Sequence, residues 1–319
     1  DQLYPLLDAI HNDDRIQFIT MRHEAAAAHA ADAWARVTGE PGVCLGTVGP
    51  GAANLVAGVY PAFADSIPMI VITAQNQSWR SYPDHGSTQA LDQLSLFKAV
   101  TKWNSLVSHW KRITELTQWA FRAATSGRPG PVHLDFPADV LFQTGDEDEV
   151  KILKPSQYRQ TERHVGNISG IGRAAKMLAE AKLPLIHAGG GVLRSGASKK
   201  LIELAEYLQA PVTTSMMGRG SIPEDHPLCL LPASPGTGAL VAQTEADVVL
   251  LVGGRLGDLE MWGQPPLAWG DLARQRFIQI DISGDMIGVN RRVDIGIVGD
   301  ARSTLRVLLE AVSYTHLRA

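Results

Sequence analysis

Glu24 stands where the apolar run at 15–21 gives way to an alanine-rich segment, EAAAAHAADAWARV. A carboxylate in a first helical turn is favoured by the helix dipole and needs no chemistry to explain it. Held partly buried between strand and helix, the same group could have a raised pKa and handle a proton. Downstream, Gly49-Pro50-Gly51 follows the buried run VCLGTV and precedes a helical pattern from about Ala52. Such a turn lets a ligand approach backbone N–H groups at a helix start, although an ordinary strand-to-helix turn asks for the same glycines. Gly189-Gly190-Gly191 follows another apolar run, with Ser195-Gly196 opening the next helix. That loop could cradle a nucleotide diphosphate, joined across a sheet crevice by Gly253-Gly254-Arg255 and Asp281 near other strand ends. The spacing is not a GxGxxG with an acidic partner for a ribose, which counts against a dehydrogenase. His23 and His29 lie six apart and do not share a helix face as metal ligands would, and His85 is better read as an ordinary polar residue. No GxSxG elbow anchors serine-hydrolase chemistry.

The elements that must position these residues alternate along the chain. PLLDAI has helical spacing and RIQFITM reads as a short strand; a helix over 24–37 leads to the strand at 43–48. A helix over ANLVAGVYPAFAD, the strand MIVIT, the helix ITELTQWAFRAAT and the turn-and-strand GRPGPVHLDFP follow. Further strands are expected at 184–189, 211–215, 246–253 and 276–282, with SGASKKLIELAEYLQ a helix between them. Buried strands alternating with helices predict parallel α/β sheets. The polar, weakly periodic stretch at 144–165 reads as a linker between domains spanning 1–143 and 166–312. The tail at 313–319 lacks an apolar pattern of its own and reads as foreign sequence.

The totals agree with two domains. The chain has 319 residues, 45% hydrophobic and 19% charged, which suits two globular cores. A net charge of −4 gives no electrostatic reason to expect nucleic acid, and no apolar run is long enough to span a membrane. The two cysteines, Cys44 and Cys229, show no paired metal spacing and point to a reducing, cytoplasmic setting.

Taken in order, the motifs resemble the thiamine-diphosphate enzymes of the acetolactate synthase and 2-oxoacid decarboxylase superfamily. The residues that carry the resemblance are RHE at 22–24, AADAWARVTGEPGVCLGTVGPGAANLV at 30–56, DSIPMIVITAQ at 65–75, Gln89, VTKW at 100–103 and SGRPGPVHLDFPADV at 126–140. GGGVLRSGA, PVTTSMMGRGSIPEDHPL, ADVVLLVGGRLGD, IQIDIS and IVGDA continue it through the second half. The resemblance implies a pyrimidine-binding α/β domain followed by a Rossmann-like central domain, each a three-layer parallel sheet.

It also implies that Glu24 hydrogen-bonds the aminopyrimidine N1′ of thiamine diphosphate and so favours removal of the thiazolium C2 proton. Gly49, Pro50, Gly51 and Asn54 would flank the pyrimidine, and Gln89 would lie near a 2-oxoacid substrate. Thr88-Gln89-Ala90 stands where acetolactate synthases carry Phe-Gln-Glu, which leaves the substrate open. Gly189, Gly190, Gly191, Met217, Gly218, Arg255 and Asp281 match positions that could hold FAD or ADP, but Ser234-Pro235-Gly236 replaces the Met-His-Gly of FAD-binding members. No Gly-Asp-Gly occurs to hold Mg2+ and the diphosphate, so no metal ligand is expected in this chain; it reads as a fragment truncated at both ends and inactive alone. The expected assembly is a homodimer or homotetramer. A simple decarboxylase, a CoA-thioester lyase, a sulfoacetaldehyde-type acetyltransferase and a non-catalytic FAD- or ADP-binding module are the alternatives.

Overall fold

A computed structural model describes residues 2–230 and 237–316. The chain divides into two compact units, Asp1–Thr161 and Glu162–Ala319. In the first, α1 (Tyr4–His11) and α2 (Glu24–Thr38) precede β1 (Gly42–Gly46), α3 (Pro50–Asp65), β2 (Met69–Gln75) and the short α4 (Ser78–Ser81). Then come α5 (Gln93–Lys98), β3 (Trp103–Leu106), α6 (Arg112–Thr125), β4 (Pro131–Pro137), α7 (Ala138–Leu141) and α8 (Pro155–Tyr158). The sheet is parallel throughout, in the order β1-β2-β4-β3. One face is covered by apolar residues of α2 and α3, among them Ala28, Ala31, Leu55 and Val59. The other packs Ile70, Val132 and Leu134 against Leu116, Ala120 and Ala124 of α6.

The local sequence explains why α2 and α3 begin where they do. His23 is extended and its Nδ1 accepts a hydrogen bond from the Ala25 N–H at 3.1 Å, and Gly39 at φ 77° closes α2. Pro50 occupies the first turn of α3, where a missing N–H costs nothing. The two helices run side by side with their N-termini at the same end. A Cβ at Gly58 would lie 2.6 Å from Ala28 Cβ and 2.8 Å from the Ala25 carbonyl oxygen, so the crossing has room only for glycine. Arg36 ties the far ends together, donating to Asp32 and Asp65 at 2.8 Å each.

The second unit contains α9 (Ile168–Ala179), β5 (Pro184–Ala188), α10 (Gly190–Ser195), α11 (Ser198–Leu208) and β6 (Val212–Thr214). It continues with α12 (Gly238–Glu245), β7 (Val248–Val252), β8 (Arg276–Asp281), β9 (Ile295–Val298) and α13 (Ala301–His316). Its sheet is also parallel, ordered β6-β5-β7-β8-β9. Side chains alternate along β5: Ile186 joins the core under α9, α11 and α13, while Leu185 packs with Phe277 and Trp269 on the other face.

One expectation differs from the structure. The segment at 15–21 forms no strand; Ile16, Phe18, Ile19 and Met21 are exposed, and no neighbouring strand among the described residues offers it a ladder. Helix α13 runs four residues past Val312, with Ser313 and Thr315 hydroxyls bonding back to the Leu309 and Ala311 carbonyl oxygens. The stretch at 144–165 carries a single 3-10 turn, Glu147–Glu149, and α8.

Candidate functional site

The C-terminal edge of the first sheet collects the chemistry. Glu24 opens α2 half-buried, and the N-terminus of α3 lies beside it. Asn54, on the first turns of α3, donates from Nδ2 to Glu24 Oε2 at 3.0 Å. The other oxygen, Oε1, lies 3.4 Å from where a Cβ of Gly51 would stand and takes no hydrogen bond from the described residues. The carboxylate is thus gripped by one oxygen and presents the second beside a surface that only glycine leaves open.

Gly49 makes the turn at φ 64° and ψ −104°, a conformation an L side chain rarely adopts. A Cβ there would sit 2.2 Å from the Gln89 carbonyl oxygen, so the loop carrying Gln89 lies directly against the turn. Gln89 is exposed and holds φ 60°, an uncommon angle for a residue other than glycine. The structure therefore brings Glu24, Gly49, Pro50, Gly51, Asn54 and Gln89 to one place, with the backbone of Gln89 making the contact to Gly49.

Sequence reasoning missed the polar network beneath this turn. Gln93, fully buried, accepts from the Gly49 N–H through Oε1 at 2.8 Å. Its Nε2 donates to Asp135 Oδ1 at 2.6 Å and to the Ala74 carbonyl oxygen at 2.9 Å, with Thr73 Oγ1 at 3.1 Å. Asp135, also fully buried, further accepts from Thr73 Oγ1 at 2.8 Å, Tyr82 Oη at 3.0 Å and Gln75 Nε2 at 3.2 Å. Burial pushes the Asp135 carboxyl up to about 6, against those four hydrogen bonds, which hold it down. Burial and the facing carboxylate push the Tyr82 phenol well above its ordinary value.

His133 Nε2 lies 2.7 Å from Thr73 Oγ1. Since that hydroxyl gives its proton to Asp135, the imidazole must donate through Nε2, leaving Nδ1 bare, and Nδ1 has no partner among the described residues. Burial accordingly depresses His133 to about 3, and its ring stacks on Phe97 at 4.0 Å. One signal for this network was legible: Thr73, Gln75, His133 and Asp135 interrupt otherwise apolar strands at a spacing of two, and Thr73 pairs with Asp135 in register.

In the second unit the glycine loops meet one another. The Gly189 N–H donates to the Val252 carbonyl oxygen and the Gly191 N–H to that of Gly253, each at 2.9 Å. A Cβ on Gly189 would stand 2.2 Å from the Gly253 oxygen, and one on Gly218 would stand 2.0 Å from the Ala188 oxygen. Close backbone packing accounts for these glycines, and two N–H groups of the triple-glycine loop are already satisfied within the protein. Gly190 borders Met217, whose Cβ would be 3.1 Å from an added methyl group. Arg255 is exposed, and Asp281 Oδ1 accepts from the Ser283 N–H at 2.9 Å. Ser234-Pro235-Gly236 lies outside the described residues. Among the described residues no three His, Cys, Asp or Glu side chains cluster to hold a metal ion, and no helix is long and apolar enough to cross a membrane.

The chain matches two families: "Thiamine pyrophosphate enzyme, N-terminal TPP binding domain" over residues 1–96, and "Thiamine pyrophosphate enzyme, central domain" over residues 171–308. It is 43% identical over 321 residues to a probable acetolactate synthase large subunit of Methanocaldococcus jannaschii, covering 97% of this chain and 52% of the relative. It is 41% identical over 317 residues to the protein of the same description from Methanococcus aeolicus, covering 98% and 51%. The acetolactate synthase of Arthrospira platensis is 38% identical over 316 residues, covering 96% and 53%. The chain spans about half the length of the curated relatives it matches.

Proposed function

The chain belongs to the thiamine-diphosphate enzyme superfamily, with acetolactate-synthase-like homologues, and from that premise we propose that the protein carrying it joins 2-oxoacids in an acetolactate-synthase-like condensation. The observation that carries the reading is Glu24, one oxygen held by Asn54 and the other beside the Gly49–Gly51 turn. Bound thiamine diphosphate would supply the thiazolium that acts as electron sink when a 2-oxoacid loses CO2. Glu24 would hold the proton at the ring nitrogen N1′ through Oε1, Asn54 would fix the carboxylate plane, and Gly51 would leave room for close approach. The turn and the Gln89 loop would limit water around the carboxylate, which strengthens its hold on the ring. Magnesium and the cofactor diphosphate would be held by residues outside these two units.

Glu24→Gln in the full-length protein tests the assignment. The variant keeps the shape and the Asn54 contact but weakens the acceptor. We expect hydrogen–deuterium exchange at C2 of bound thiamine diphosphate to slow by about 100-fold or more, with an unchanged circular dichroism spectrum and melting temperature. Exchange at the wild-type rate would remove Glu24 from its role.

A second reading concerns the central unit, where FAD or ADP could occupy the C-terminal edge of β5, β6 and β7. Its support is the adjacency of Gly190 and Met217 with Arg255 exposed at the end of β7; flavin absorbance of the purified protein tests it. A homodimer or homotetramer is supported by Trp34, Val37, Tyr60 and Phe63, which stand exposed on the paired helices α2 and α3. The free thiols of Cys44 and Cys229 suit a cytoplasmic location.

A further inference from the structure

We infer that Gln93 is a positioning residue for the cofactor turn: its carboxamide links the Gly49 N–H to the buried Asp135 carboxylate and so fixes the turn beside Glu24. This inference rests on the thiamine-diphosphate reading above. The orientation of the carboxamide is determined by its partners. Oε1 faces an N–H, while Nε2 faces a carboxylate, a carbonyl oxygen and a hydroxyl; a flipped amide would set a donor against the Gly49 N–H and an acceptor against the carboxylate and carbonyl oxygens.

Helix α3 begins at Pro50, which has no N–H to anchor the turn. Gly49 has no side chain, and glycine's wide conformational freedom leaves the turn unfixed unless a partner holds it. The hydrogen bond to Gln93 supplies that hold from a fully buried side chain. Gln93 itself is the first residue of α5, whose start is capped by Asp92 through the Ser95 N–H at 3.0 Å.

The Asp135 carboxylate also reaches the opposite wall of the turn. Its second oxygen accepts from Tyr82 and Gln75, and Gln75 Nε2 also donates to the Leu91 carbonyl oxygen at 3.1 Å. Gln75 Oε1 accepts from the Asn76 N–H, and Asn76 Nδ2 donates to the Thr88 carbonyl oxygen at 3.1 Å. The loop carrying Gln89, whose carbonyl oxygen abuts Gly49, is therefore held by the network that holds Gly49. Asp135, fully buried in the sheet, sets the separation of two backbone segments that meet at Gly49, two residues from the glycine beside Glu24.

The test compares Gln93→Met with Leu116→Ala in the full-length protein. Leu116, on α6, packs against the opposite face of the sheet, so its truncation lowers stability without touching the turn. Two readouts are taken: deuterium uptake by mass spectrometry in a peptide covering residues 47–53, and C2–H exchange and affinity for thiamine diphosphate with Mg2+. Gln93→Met should raise deuterium uptake at the turn and slow C2–H exchange about 10- to 100-fold, while Leu116→Ala matches wild type in both. If Gln93→Met does not fold, Gln93→Glu serves, since it keeps the acceptor for Gly49 but must share a proton with Asp135; the same direction of change is expected. Wild-type uptake and wild-type C2 exchange in either Gln93 variant overturn the positioning role while the functional reading stands. Equal slowing by Leu116→Ala shows a general effect of stability and also overturns it. A wild-type protein that binds no thiamine diphosphate overturns the functional reading itself, and the positioning role with it.

Discussion

Asn54 separates what holds Glu24 from what holds the fold. Its amide and the carboxylate meet at the exposed start of two helices, where a hydrogen bond adds little to stability. Asn54→Ala should therefore leave the melting temperature within a few degrees of wild type. It should weaken thiamine diphosphate binding about 10-fold, because Glu24 must then be ordered by the ligand alone; calorimetry and a thermal melt on the same sample distinguish the two effects. Loss of stability without loss of affinity would make Asn54 a helix-packing residue. At this scale the sequence was legible in part. The Glu24 carboxylate and the glycine turn follow from residue types that punctuate strand and helix. Gln89 and Gln93 are four residues apart and of one type, so nothing in the sequence tells which contributes its backbone and which its buried amide. Only the parallel pairing of β2 with β4, which sets Thr73 opposite Asp135, reveals the second.

The same division holds for the elements. Apolar runs bounded by glycine and proline located β2, β4, β5, β7 and β8, because a strand buried on both faces must be apolar nearly throughout, and they also marked the edge strands β1 and β6. Strands β3 and β9 escaped that reading: β3 is half-buried along its whole length and β9 alternates buried with exposed residues, and both lie at sheet edges. The run at 15–21 erred the other way, since strand-forming residues make a strand only where a neighbour supplies the ladder. Helix α2 is placed by its packing on α3 through Ala25, Ala28 and Gly58, a contact no propensity encodes. Gly58→Ala should force the helices apart, since backbone of α2 lies within 3 Å of the new methyl group. We expect a destabilisation of about 1–3 kcal/mol in urea unfolding, accompanied by weaker thiamine diphosphate binding as Glu24 moves from Asn54 and Gly51. A variant with wild-type stability would show that the crossing is slack and that Glu24 is held by other means.

Across the whole molecule, buried imidazoles set how the two units answer to acid. His187 in β5 is buried against Trp269, its Nδ1 lies 2.9 Å from Thr213 Oγ1, and burial depresses it from 6.5 to about 4. The native state holds this ring neutral, so its contribution is complete above pH 6.5 and is lost as pH falls from 6.5 towards 4. The full loss is about 3 kcal/mol. His133 in the first unit behaves alike, with its window extending from 6.5 to about 3. Asp135 in the same network has the opposite sign: a carboxyl raised from 3.8 to about 6 is easier to bury protonated, so it favours the native state increasingly as pH falls from 6 to 3.8. Between pH 6 and pH 4 the two groups of the first unit largely cancel, whereas His187 acts on the second with full weight. Hydrogen exchange resolved by peptide, at pH 7 and pH 4.5, should show the second unit losing about 2–3 kcal/mol and the first about 1 kcal/mol from these groups. His187→Asn, which keeps a partner for Thr213 but cannot take up a proton, should remove most of the acid loss in the second unit. An unchanged acid response in that variant would assign the sensitivity to other groups.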